Sequence, residues 1–415
     1  MGATTGDTTR DTNEGAVTTS SSSRLDSITG LRWFAAFAVF GYHLAANASF
    51  YEQRDALRFV FLAGSSAVSF FFILSGFVLT WQPQRTESKR VFWWRRFARI
   101  YPSHLVTFIA AAFMLRWLGD PLGTKVALTH LTLTQTWIPE RSDYWWGFNG
   151  VSWSLSCEMF FYLCFPFLAP LIRRASNRAL WAIMVTFIAL VMAMPWLSDL
   201  GEPVGLGETY IVYILPLSRI LEFVLGMALA TLVRRGHWHG PGLIVSSLFT
   251  IFCLTVVVRL APSSWPNIRV TTATVIAYTL LVAAAAVADV RRTRSLFRAR
   301  WIVYLGEVSF AFYLVHLMVI LSANELLRGH HKLPLAASFL AVFAVSLMFA
   351  MAVHEFVEKP FVKILHPSRI STYGEAFRAR YRGPRGRGAR RSIEDPPLPV
   401  VASVPAERDP AGLPG

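Results

Sequence analysis

One property of this chain limits its fold more than any other. Stretches of about twenty apolar residues return along most of its length, separated by short segments rich in arginine. A helix of about that length crosses the roughly 30 Å hydrocarbon core of a bilayer, and lipid accepts no unpaired backbone. Ten such stretches are read here, at about 28–50, 58–81, 101–118, 151–172, 178–197, 209–233, 241–261, 270–288, 301–321 and 335–357. The expected fold class is therefore an all-α, polytopic membrane protein of about ten transmembrane helices. The third stretch is short. Residues 126–138, "VALTHLTLTQTWI", are too short and polar to span, and read as either re-entrant or interfacial.

Loop charge sets the expected orientation. Residues 82–100 carry six Lys or Arg and residues 289–300 carry five. Arg173, Arg174 and Arg178 cluster in a third loop, and Arg234 and Arg235 in a fourth. With ten spans and a cytoplasmic N-terminus, all four fall on the cytoplasmic side, as the positive-inside rule requires. The loop at 198–208, with Asp199, Glu202, Glu208 and no basic residue, then falls outside. An even count returns the C-terminus to the cytoplasm as well. The net charge of +15 is thus a topological signal, and nucleic acid is not an expected partner.

Three domains are expected. Residues 1–24 form a polar, Ser/Thr-rich segment with no apolar signal core, so the first span should direct membrane insertion. Residues 25–365 form the membrane domain. Residues 366–415 form a basic, Pro/Gly-rich tail that cannot build a core and is suited to anionic lipid. Cys157, Cys164 and Cys253 all lie in apolar runs, odd in number and without metal-ligand spacing. They read as core residues, and neither a metal nor a bound cofactor is expected.

The informative positions are polar residues inside the apolar runs, which are costly there and so point to function. Arg32 and His43 stand eleven residues apart in the first span. At about 100° per residue they share one helix face, separated by about 16 Å along the axis. Arg32 sits near the cytoplasmic end and His43 in the outer half. The structural alternatives are a snorkelling arginine and a hydrogen-bonded core histidine. In "WWRRFARIYP", Arg95, Arg96 and Arg99 precede the third span, with Arg96 and Arg99 on one side of a helix. Guanidinium groups suit phosphate, although positive-inside charge alone also explains them.

Glu158 lies about eight residues into a span that descends from outside, roughly 12 Å deep, and His43 lies about 10 Å deep. The two meet if their helices are neighbours, and a carboxylate beside an imidazole orients it and stabilises its charged form. Arg219 and Glu222, three apart in an apolar span, read first as a structural ion pair. Ser309, Tyr313 and His316 line one face of the ninth span, with His316 at the depth of His43 and so its rival as base. His354, Glu355 and Glu358 close the tenth span and are read as structural or as partners of the basic loops.

Together these residues resemble the membrane-bound acyltransferase-3 family, over about residues 25–365. The likeness rests on Arg32, ten residues, then His43; on the RxxR of Arg96 and Arg99; and on "FFILSGFVL", "WSLSCEMFFYL" and "LGEVSFAFYLVH" in order. The opening "RLDSITGLRWFAAFAVFGYH" looks most like the macrolide-acylating branch. The resemblance implies O-acylation with acyl-CoA as co-substrate and a hydroxylated small molecule or glycan as acceptor. Arg32, Arg96, Arg99 and Arg95 would then hold the donor. His43 would be the general base and Glu158 its orienting partner, with Ser309, Tyr313, His316, Arg219 and Glu222 as a secondary site. An acyl-histidine intermediate stays open beside direct transfer. A multi-pass transporter or lipid flippase is the alternative from another class, against which the absence of an internal repeat counts.

Overall fold

A computed structural model describes residues 25–50, 54–82, 88–120, 123–139, 141–199, 206–257, 272–328 and 334–364. The N-terminal segment and the basic tail lie outside the described residues. Every regular element among those described is helical. The helices are α1 (Asp26–Asn47), α2 (Arg54–Phe61), α3 (Ala67–Trp81), α4 (Lys89–Leu118), α5 (Thr124–Leu131), α6 (Ser142–Trp146) and α7 (Trp153–Arg174). They continue as α8 (Asn177–Leu197), α9 (Pro216–Arg234), α10 (Leu243–Phe252), α11 (Val275–Val290), α12 (Arg300–Leu326), α13 (Leu335–Val353) and α14 (Lys359–Ile364).

Seven of the ten expected spans coincide with helical stretches long and apolar enough to cross a membrane: Asp55–Trp81, Lys89–Leu118, Gly150–Arg174, Asn177–Leu197, Thr209–Arg234, Arg300–Leu326 and Leu335–Ile364. The other three are helical too. They are α1, which carries Asp26 and Arg32, and two shorter apolar helices, Leu243–Val256 and Val275–Val290. The count of ten and the side of each terminus stand as expectations. Large apolar side chains such as Phe113, Ile244, Leu248 and Phe356 are exposed on the outside of the bundle, the arrangement lipid tails favour.

The third span differs from its expected form. It is not a short helix after a basic loop but a 30-residue helix that begins at Lys89. Ser88 caps it, its hydroxyl accepting from the Val91 amide at 3.4 Å. The arginines of 95–99 are therefore fixed on the first turns of α4. The indole of Trp93 donates to the Tyr162 carbonyl at 3.0 Å and ties that end of α4 to α7.

Two helix pairs form the frame. In one, α3 and α9 run parallel, with Ser69 beside Arg219 at one end and Thr80 beside Arg234 at the other. They cross at Gly76 and Gly226. A Cβ on Gly76 would overlap the Phe223 carbonyl oxygen, and one on Gly226 the Ile73 carbonyl oxygen. Small residues that let helix backbones touch are the usual device of membrane packing. Alanine at either glycine is expected to prevent the crossing, and fluorescence-detected size exclusion should show loss of the monodisperse protein. Normal elution and melting of both variants would show that the crossing does not need these glycines.

In the second pair α1 and α12 run parallel. Thr29 lies beside Gly306 at one end, and His43 beside His316 at the other. The start of α1 is capped from a distance: the Asp289 carboxylate accepts from the Ser27 amide at 2.9 Å and from that of Ile28 at 3.4 Å. An aromatic group of buried Trp33, Phe40 and Phe312 with half-buried Phe343 packs α1 and α12 against α13.

Candidate active site

Between these pairs lies a cavity of about 270 Å³, lined by residues of α1, α3, α4, α7 and α12. It follows α3 from Val68 to Gln82, a run of about 21 Å at 1.5 Å per residue. One end is cationic and the other carries hydroxyls. The walls between are apolar, with Leu74, Val78, Ile100 and Leu155 among them.

Arg32, Arg96 and Arg99 all line the cationic end. Arg32 and Arg96 are half-buried and Arg99 is exposed. The Arg96 guanidinium lies over the Phe92 ring at 5.7 Å. Arg95 is on the same helix but does not line the cavity. Behind the arginines sits Glu358, 5 % exposed, with Arg99 Nη2 3.7 Å from its Oε1 and His354 Nδ1 2.9 Å from its Oε2. The end of the tenth expected span thus meets the basic segment of α4. Glu158 is at this end as well. Its carboxylate accepts from the Tyr162 hydroxyl at 3.1 Å, and Arg32, Arg99 and Arg96 are its charged neighbours. Three guanidinium groups there face two carboxylates.

Glu158 is therefore not placed as expected beside His43. The reason lies in the segment whose form the sequence left open. Residues 124–139 and 141–152 fold through α5, a 3₁₀ turn at Gln135–Trp137, α6 and a second 3₁₀ turn at Gly150–Ser152. Several of their polar side chains are buried and hydrogen-bonded. His104 Nε2 lies 2.9 Å from the His130 carbonyl, and His130 Nε2 lies 2.6 Å from that of Tyr144. The Ser152 hydroxyl is 3.2 Å from His130 Nδ1 and accepts from Gln135 Nε2 at 3.3 Å. Asn149 donates to the Leu314 carbonyl at 2.8 Å. As a result α7 starts already at the level of Tyr313, whose hydroxyl meets the Val151 carbonyl at 3.0 Å. Glu158, seven residues further along, is about 10 Å away towards the arginines. His104, His130, Gln135 and Asn149 escaped the sequence reading because none repeats along an apolar helix face. The out-of-place polarity of 126–138 was their only trace.

Tyr313 lines the other end of the cavity. Its hydroxyl is 2.8 Å from Ser154 Oγ, and its ring packs against Phe71. Ser309 lines the same wall, its hydroxyl donating to the Gly306 carbonyl at 2.8 Å. Directly beyond Tyr313 lie the two histidines. The His316 ring centroid is 5.8 Å from that of Tyr313 and 5.3 Å from that of His43. His316 is fully buried and His43 half-buried. Thus the two imidazoles named as rivals form a pair.

Arg219 and Glu222 do not line the cavity. They form the structural ion pair, 3.2 Å apart and almost fully buried. Arg219 also donates to Ser69 Oγ at 2.9 Å and stacks on Phe72 and Tyr213. No group of three or more His, Cys, Asp or Glu with the geometry to hold a metal occurs among the described residues.

An arginine-lined mouth and an apolar passage thus form one cavity, with a histidine pair beyond Tyr313. Comparison with known proteins gives the class. Residues 25–355 match the acyltransferase domain family Acyl_transf_3, and the chain belongs to it. It is 39 % identical to acyltransferase MdmB of Streptomyces mycarofaciens over 363 residues, which is 82 % of this chain and 92 % of that protein. It is also 28 % identical to peptidoglycan O-acetyltransferase OatA of Listeria monocytogenes over 221 residues, 49 % of this chain and 33 % of that one. No solved structure matches.

Proposed function

We propose that the protein is a membrane O-acyltransferase that moves an acyl group from acyl-CoA to a hydroxyl of a sugar-containing or macrolide-like acceptor. One observation carries this reading: a single cavity has Arg32, Arg96 and Arg99 at one end and Tyr313 at the other, with His316 against Tyr313 and His43 beside His316. The arginines suit the phosphates of CoA. The apolar passage suits the pantetheine arm, and the distance from Arg32 to His43 along α1 matches its reach. The basic loops support a cytoplasmic arginine mouth, on the side where acyl-CoA is found.

His43 takes the proton of the acceptor hydroxyl as that oxygen attacks the thioester carbonyl. The tetrahedral intermediate collapses, the C–S bond breaks and the departing thiolate recovers the proton from His43. The products are the ester and CoA. Glu158 serves the donor end, where it holds the arginines in place.

The resemblance of "RLDSITGLRWFAAFAVFGYH" to the macrolide-acylating branch supports a small-molecule acceptor, whereas the shorter match to peptidoglycan O-acetyltransferase OatA favours a cell-wall glycan. The purified protein, given labelled acyl-CoA with a glycosylated macrolide or a peptidoglycan fragment, should form the ester and release one CoA per ester. A transporter or flippase would release no CoA.

A further inference from the structure

We infer that His316 positions His43: its Nε2 lone pair receives one ring N–H of His43, which leaves the other His43 nitrogen free to act as the base. The inference rests on the reading of His43 as the base, and gives His316 the orienting role that the sequence assigned to Glu158.

The tautomer of His316 follows from its hydrogen bond. Nδ1 lies 3.1 Å from the Phe312 carbonyl oxygen, which only accepts, so Nδ1 carries the hydrogen. In the neutral ring the remaining nitrogen, Nε2, is then a bare acceptor. That atom is buried and has no hydrogen-bond partner among the described residues. A buried acceptor left without a donor is uncommon and marks a place where a donor is meant to arrive.

Among the described ring neighbours of His316, one has an uncommitted donor. Phe40 and Phe312 flank the His316 ring at centroid distances of 6.3 and 6.0 Å, and neither has a polar hydrogen. The Tyr313 hydroxyl is engaged with Val151 and Ser154. The imidazole of His43, 5.3 Å away and inclined at 48°, has an N–H to give. Two imidazoles joined by an N–H···N bond of about 2.9 Å have centroids roughly 5 Å apart, so a small ring rotation closes the contact. When His43 takes the acceptor's proton it becomes an imidazolium, and its N–H bond to His316 strengthens as a charge-assisted one. His316 itself gains and loses no proton. The proton held by His43 passes to the leaving thiolate.

Three variants of the full-length protein in detergent test this, measured beside His43→Ala. Glutamine reaches the position of Nε2 with its amide, and asparagine reaches that of Nδ1. His316→Gln thus keeps an acceptor for His43, His316→Asn keeps only the bond to Phe312, and His316→Leu keeps neither. Leucine and asparagine should lower kcat by about a hundredfold with KM for acyl-CoA within about twofold. Glutamine should recover at least tenfold of that loss, and all three should melt close to the parent. Rescue by asparagine instead of glutamine would assign His316 a purely structural bond and overturn the inference. Near-parental turnover of all three, with His43→Ala inactive, would overturn it while leaving His43 as base. Turnover in His43→Ala, with His316→Leu inactive, would remove the reading of His43 itself and make His316 the base.

Discussion

His43→Ala should lose acyl transfer by at least about 10²–10⁴-fold, the range that a positioned general base supplies. The proposed acceptor is an alcohol, a poor nucleophile until its proton is removed, and the imidazoles next to Tyr313 among the described residues, outside the cavity lining itself, are those of His316 and, beyond it, His43. His316 is held by its bond to Phe312 and sits behind His43 in the proposed arrangement. The substitution removes a half-buried ring whose ring contacts among the described residues are with Tyr42 and His316. The expected cost in stability is therefore small against the cost in rate. Ester formation measured with labelled acyl-CoA should fall to background while size-exclusion elution, melting temperature and CoA binding stay near those of the parent. Turnover within tenfold of the parent would end the assignment of His43 as base.

How the sequence and the structure relate is clearest at three places. Arg32 and His43 were legible because helical period is a local rule: eleven residues return to one face whatever the helix packs against. The RxxR pair was legible for the same reason, and the structure adds that these arginines stand on a helix instead of a loop, since Ser88 caps α4 before them. The partner of His43 was not legible. Depth along α7 was counted from an assumed membrane surface, but the fold sets that depth through His130, Ser152 and Asn149, which draw the start of α7 inward to Tyr313. Those bonds join residues 22 and 165 positions apart in the chain. Periodicity carries no information across such distances. The burial of Arg219 with Glu222 was local, at i and i+3, and for that reason legible.

The donor end yields the second large effect. Arg96→Ala together with Arg99→Ala should raise KM for acyl-CoA by about 10–100-fold and leave KM for the acceptor nearly unchanged. Two facts set that range. A hydrogen bond to a charged group is worth about 1.5–3 kcal/mol, so two buried contacts to phosphate would reach further. Arg99, however, is 45 % exposed and shares Glu358, so water and that carboxylate weaken its contribution. Arg96, half-buried against Phe92, is the stronger of the two, and Arg96→Ala alone should account for most of the change. Lysine at 96 should restore only part of it, because a point charge cannot reproduce the planar fork that guanidinium offers phosphate. Inhibition by free CoA gives the same quantity without chemistry: its affinity should drop in parallel with KM and weaken further as salt is raised. If CoA bound both variants as it binds the parent, Arg96 and Arg99 would be topology signals alone, and the donor would have to enter by another route than the mouth they form with Arg32.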